Sequence, residues 1–212
     1  MRAPRRGILG TRVPLIGLIG PIGCGKSTVA GWLAARGAAV IDADDLTREI
    51  MAAGTPVADA IVARFGGEYR RPDGSLDRAA LGRLVFADPV RLAELESIVH
   101  PAVAGLLEGS IRAADTRGPA AIVFEAIKLV EAGHAPWCDE IWLVICDPKT
   151  QLARLTGRGM NESDARQRIA AQAASLASWR AAATRMIRTD GQRDAVERTV
   201  GAALEHALAR RR

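Results

Sequence analysis

The stretch LIGLIGPIGCGKSTVAGWLAAR, residues 15–36, changes its hydrophobic period once, and the change falls on a run of glycines. Leu15 to Ile19 form an apolar run of strand length; after Ser27, Val29, Trp32 and Leu33 recur at helical spacing until Gly37. Between them, Gly20, Gly25, Lys26 and Ser27 have the spacing G-x-x-x-x-G-K-[ST] of a phosphate loop. Such a loop needs glycine because backbone N–H groups must approach phosphate oxygens closely. Gly20, Gly23, Cys24, Gly25, Lys26, Ser27 and Thr28 are therefore the expected nucleotide-binding residues, and the Ser27 hydroxyl the expected ligand of Mg²⁺. Of 29 basic residues only Lys26, Lys128 and Lys149 are lysine. A lysine in the loop thus reads as a demand for a compact charge on the β- and γ-phosphates of a nucleoside triphosphate.

Working outward, Ala38–Ile41, Ala120–Phe124 and Ile141–Ile145 are further apolar runs of strand length, and Met186-Ile187 is a short fifth candidate. Between the second and third lie about eighty residues of helical character, too many for a loop. Asp88 and Pro89 open a helix through Leu92, Leu95 and Val99, and His100 before Pro101 offers one place for it to end. Asp147-Pro148 opens another, running to Gly157 and Gly159, and Asn161 caps a long Ala- and Arg-rich helix. Strands alternating with helices predict an α/β fold, a five-stranded parallel sheet between two helical layers.

The net charge of +5 resides in the ends. Arg2, Arg5, Arg6, Arg12, Arg210, Arg211 and Arg212 account for seven basic residues, leaving 22 basic against 24 acidic in the body. Residues 1–12 and 210–212 read as solvated basic ends rather than nucleic-acid arms. No apolar run approaches the ~20 residues of a membrane span, and the stretch before the loop is too short for a signal peptide, so a soluble, cytoplasmic chain without membrane partners is expected. Cys24, Cys138 and Cys146 are too few and too irregular for a disulfide framework or a zinc site, and Cys138 and Cys146 read as packing residues. Cys24, between two glycines at a helix start, is expected to carry a reactive thiol that ATP covers; a thiol turned into the packing beneath the loop is the other reading.

Among phosphate-loop classes, a guanine-binding switch lacks its N-K-x-D here, and no strand visibly ends in the acidic pair of a motor, Asp147 being the nearest candidate. A small-molecule kinase remains. Asp42, Asp44 and Asp45, just past the second strand and expected beside the first, offer a general base and a partner for the hydrated metal, with one of them capping the following helix.

Residues 15–49, DGSLDRAALGRLVFADP (73–89), His100-Pro101, CDPKTQLARLTGR (146–158) and RIAAQ (168–172) together resemble the dephospho-coenzyme A kinase family, over residue 15 to about 191. The resemblance implies ATP-dependent phosphorylation of the ribose 3′-hydroxyl of dephospho-coenzyme A. It implies one domain over 13–209, with an acceptor-binding insert at about 45–118 and a lid at about 154–182. By position it assigns Lys26, Asp44 and Arg158 to catalysis, Asp44 as general base. It assigns Asp42, Arg78, Phe86, His100 and Glu131 to the acceptor, and Gly191 to the nucleotide. The chain departs from the family at Pro21 and Cys24, at Ile127-Lys128-Leu129 and at Thr189-Asp190-Gly191. Another small-molecule kinase of this fold, and a nucleotide-dependent regulatory or nucleic-acid-binding protein, stay open as alternatives; the oligomeric state is not legible.

Overall fold

The computed structural model describes residues 7–211, apart from the side chain of Phe86. Five strands, β1 (Leu15–Ile19), β2 (Ala39–Asp42), β3 (Ile122–Glu125), β4 (Glu140–Ile145) and β5 (Arg185–Arg188), form one sheet in the order β2-β3-β1-β4-β5. Strand β1 runs parallel to β3, with Leu15 beside Ile122, and to β4, with Ile16 beside Glu140; β4 and β5 are also parallel. The α/β sheet and its five strands match the expectation, including the short fifth. One detail differs. The Asp42–Asp45 segment follows an edge strand, because β3 returns to pair directly with β1 and separates it from β2.

Every residue of β1, β3 and β4 is buried, a pattern that requires cover on both faces of the sheet. On one face Ile16, Leu18, Val123, Trp142 and Val144 pack with Val29 and Leu33 of α1 (Lys26–Ala34) and Val196, Val200 and Leu204 of α9 (Arg193–Ala209). Alternate residues of each strand thus share one core, as the two-residue period dictates. This unit comprises residues up to 41 and from 111 onward.

Residues 42–110 form a second unit. It holds α2 (Ala43–Ile50), α3 (Pro56–Phe65), α4 (Arg78–Ala87) and the first part of α5 (Pro89–Thr116). Its own core is Met51, Ala58, Ile61, Phe65, Leu76, Leu81, Val85 and Val99. Local signals place the helix starts. Thr55 caps α3 ahead of Pro56, and Asp77 caps α4 by accepting from Ala80 N–H, a bond that holds its carboxyl below the usual carboxylate range.

Two helix boundaries differ from expectation. Helix α5 continues through Pro101 to Thr116, since proline removes one backbone bond while Val99, Leu107 and Ile111 bury apolar side chains on both sides of it. Asn161 and Asp147 cap as expected, but the helix after Asn161 is two: α7 (Glu162–Ala173) and α8 (Leu176–Ala182), whose Trp179 is buried. Among the described residues no helix is long and apolar enough to cross a membrane.

Arg2, Arg5, Arg6 and Arg212 lie outside the described residues. Arg211, read from sequence as part of a solvated end, is instead largely buried. Its guanidinium donates to Asp139 Oδ1 (2.9 Å), Val13 O (3.2 Å) and the carbonyl of Thr11. The same carboxylate, on a residue only 8 % exposed, accepts from Gly7 N–H (2.8 Å) and Leu15 N–H (2.7 Å). Asp139 therefore ties both ends of the described chain to the start of β1. Removing it would leave a largely buried cation without its counter-ion and two buried N–H groups without an acceptor. Asp139→Ala is expected to cost about 3–5 kcal/mol in urea unfolding and Arg211→Ala about 1–2 kcal/mol, the smaller because the carboxylate keeps its two N–H donors. Equal losses would contradict this ranking.

Candidate active site

The loop between β1 and α1 is shaped by close approach. Gly20 has φ 147°, and a Cβ there would lie 2.1 Å from Val144 O on β4. Gly23 has φ 78° and faces helix α6 (Pro148–Thr156), where a Cβ would meet Leu155 Cγ at 3.0 Å and Gln151 O at 3.1 Å. No L side chain satisfies both conditions without displacing backbone. Gly25 then starts α1 without a side-chain cap, so the N–H groups of Lys26, Ser27 and Thr28 open the helix toward whatever the loop holds. Lys26, 9 % exposed, turns its ammonium into the loop, donating to Gly20 O (2.9 Å), with Pro21 O at 3.5 Å.

Ser27 Oγ donates to Glu125 Oε1 at 3.3 Å. Glu125 is 8 % exposed and stands at the C-terminal end of β3, the strand beside the loop. It was missed in the sequence, where Asp147 was the nearest candidate for an acid of this kind; Asp147 instead caps α6 through Thr150. Those bonds hold the Asp147 carboxyl below the usual carboxylate range. The available signal was a glutamate ending the run AIVFE, at the carboxyl end of a buried strand, where open parallel sheets bind ligands. A serine hydroxyl and a buried carboxylate are hard oxygen donors suited to Mg²⁺ and its water. Among the described residues no cluster of three or more His, Cys, Asp or Glu side chains could hold a metal by protein ligands alone.

Cys24 is fully buried and joined to Cys146, past the end of β4, in a disulfide with Cα atoms 5.3 Å apart. This corrects two expectations: Cys146 is not simply a packing residue, and Cys24 offers no accessible thiol. The cause is topological, since β1 and β4 are neighbours and their C-terminal ends bring together residues 122 positions apart.

Beside the loop is a cleft of about 230 Å³ lined by Gly25, Thr28, Trp32, Arg154, Arg158 and Thr189, with Gly191, Arg193 and Val196 completing the wall. Three guanidinium groups give it positive character. The Arg193 guanidinium lies 5.7 Å from the centre of the Trp32 ring, and Arg154 is bound to Thr189 Oγ1 (2.9 Å) and its carbonyl. Thr28, Arg158 and Gly191, expected from the sequence, meet here; Trp32, Arg154, Thr189 and Arg193 were not foreseen, because a tryptophan or arginine on a helix reads equally well as packing or surface charge.

In residues 42–110, Asp42 caps α2 by accepting from Asp44 N–H at 2.8 Å, Asp44 is exposed in the first turn, and Asp45 pairs with Arg48. Arg78 opens α4 and is exposed, Phe86 lies further along the same helix, and His100 is exposed on α5, its Nε2 4.0 Å from Glu96 Oε1. Glu131 belongs to the sheet unit, where Trp179 Nε1 donates to its Oε1 at 2.8 Å; it does not line the cleft.

The model of a family described as dephospho-CoA kinase matches residues 14–194. The chain is 50 % identical over 159 residues to a dephospho-CoA kinase of Geobacter metallireducens, covering 74 % of this chain and 79 % of that one. It is 46 % identical over 190 residues to one of Symbiobacterium thermophilum, covering 89 % and 79 %. The crystal structure of TT1252 from Thermus thermophilus superposes with a TM-score of 0.75 at 32 % identity, over 92 % of this chain and 97 % of that one.

Alkylation of the denatured, unreduced protein followed by peptide mass analysis should label Cys138 alone, and prior reduction should add Cys24 and Cys146. Label on Cys24 without reduction would contradict the pairing.

Proposed function

The chain belongs to the dephospho-CoA kinase family, and on that premise we propose that it transfers the γ-phosphoryl group of ATP to the ribose 3′-hydroxyl of dephospho-coenzyme A, yielding coenzyme A and ADP. The observation that carries the reading is the Lys26, Ser27 and Glu125 constellation at the loop of a chain matched to that family over residues 14–194.

Phosphoryl transfer asks for positioning and for charge stabilisation rather than covalent chemistry from the protein. The N–H groups of the loop and the start of α1 hold the phosphate oxygens. Lys26 exchanges its loop carbonyls for the β- and γ-phosphates, a shift its flexible stem allows. Ser27 and Glu125 would hold Mg²⁺ through its water, and the ion would supply positive charge to the phosphates. Arg158 adds positive charge beside the transferring group. Its place on the cleft wall with Thr28 and Gly191 supports that role. The base of the nucleotide occupies the cleft against Trp32 and Arg193.

On the acceptor side, Asp44 takes the proton of the 3′-hydroxyl as the oxygen attacks phosphorus. Asp42, by capping α2, sets the direction of that turn. Arg78, Phe86 and His100 bind the acceptor, and Glu131 contributes through the segment that Trp179 anchors. The exposure of Asp44, and the pairing of Asp45 with Arg48, support Asp44 as the base.

An ADP-release assay across acceptors tests the reading: dephospho-coenzyme A should be turned over far faster than adenosine monophosphate or shikimate, and equal rates would overturn it. Lys26→Ala should lower kcat about a hundredfold or more with the fold intact by circular dichroism. Asp44→Asn should lower kcat by ~10²-fold and Asp45→Asn by much less. The reverse order would remove Asp44 as the base.

A further inference from the structure

Three side chains outside the reacting groups grip the phosphate loop from behind. Gln151, 6 % exposed on α6, donates its amide to Ile22 O at 2.7 Å. Gln172, in the last turn of α7, accepts from Ile22 N–H at 2.8 Å. Thr189 Oγ1 donates to Cys24 O at 2.7 Å and is itself held by Arg154.

A trans peptide is planar, with its C=O and the following N–H pointing in opposite directions. Fixing Ile22 O against α6 therefore aims the Gly23 N–H away from α6 and into the loop. Fixing Cys24 O against Thr189 does the same for the Gly25 N–H. On the preceding peptide the order inverts: Ile22 N–H goes out to Gln172, and Pro21 O turns in, where it accepts from Cys24 N–H (3.3 Å) with Lys26 Nζ at 3.5 Å. Glycine at 23 has no side chain to settle this choice, so an outside partner must.

Helix α7 buries only Ala165 and follows the Gly157–Gly159 break, so little apolar contact holds it in place. Elements of that kind are the ones that open and close at low cost. The Gln172 contact makes the outward orientation of the Ile22 N–H depend on where α7 lies.

We propose that Gln151 and Gln172 are positioning residues for phosphoryl transfer: together they hold both polar groups of Ile22, so that the Gly23 N–H faces the phosphates, and Gln172 links that orientation to the docking of α7. The proposal rests on the phosphate-loop reading. It assigns these glutamines no contact with substrate. Pre-aimed donors are worth more than donors that must reorient at the moment of reaction.

The test uses the full chain with Gln151→Met, Gln172→Met and Gln172→Glu, read by kcat and KM for ATP, by calorimetric titration with ADP and with adenosine, and by thermal melting. Each Met variant should lose about tenfold or more in kcat/KM and a similar factor in ADP affinity, with adenosine affinity unchanged. Gln172→Glu, which keeps an acceptor oxygen, should recover most of the loss. The double Met variant should lose less than the product of the single losses, since both grips act on one residue. Wild-type turnover in both Met variants would overturn the proposal, as would equal losses for ADP and adenosine accompanied by a lowered melting temperature, the mark of a structural role. Should Gln151→Met fail to fold, the two Gln172 variants decide between the same outcomes. A wild-type protein that releases ADP but shows no ADP-specific loss in the variants refutes the positioning role alone; a wild-type protein that binds no ADP refutes the loop reading and this proposal with it.

Discussion

Backbone N–H groups that converge on one point repel one another as dipoles and forgo the carbonyl partners of regular structure, so a loop that does this must be forced into shape by its surroundings. Here the force comes from two neighbouring elements. Strand β4 runs so close to Gly20 that its Val144 carbonyl occupies the space of a Cβ, and α6 lies against Gly23. The parallel pairing of β1 with β4 fixes the first contact and the capped start of α6 at Asp147 fixes the second. The disulfide from Cys24 to Cys146 runs along the same seam.

Helix α6 does two jobs with one face. Gln151 and Arg154, three residues apart and hence neighbours on the helix surface, reach Ile22 and Thr189 respectively. Through Thr189 the second contact returns to Cys24 O, so α6 and the end of β5 brace alternate carbonyls of the loop. Arg154 also lines the cleft beside the loop. On the opposite side Glu125 and Ser27 face each other, an acid and a hydroxyl brought together by the β1–β3 pairing.

Much of this was legible in the sequence because it is local. The change of period at Gly20, the loop spacing, and the helix starts at Asp147 and Asn161 depend on residues a few positions apart, and so does the fifth strand at Met186-Ile187. What escaped depends on topology. The order of β2 and β3 decided which strand flanks the loop, and only that order makes an acid at the end of AIVFE a partner for Ser27. Cys24 and Cys146, Asp139 and Arg211, and Gln172 and Ile22 are all joined across long stretches of chain, by side chains that read as packing, surface or solvated ends. Pro101 escaped for the opposite reason: a local rule that stops helices yielded to the apolar residues burying α5 on both sides.

The most direct measurement of the central claim, that backbone N–H groups of residues 23–28 hold the phosphates of a nucleotide, is the amide spectrum of ¹⁵N-labelled protein titrated with ADP and then with adenosine. The account predicts large downfield proton shifts for Gly23, Gly25, Lys26 and Ser27 with ADP that adenosine does not reproduce. Binding of ADP that leaves those four amides unmoved would contradict it.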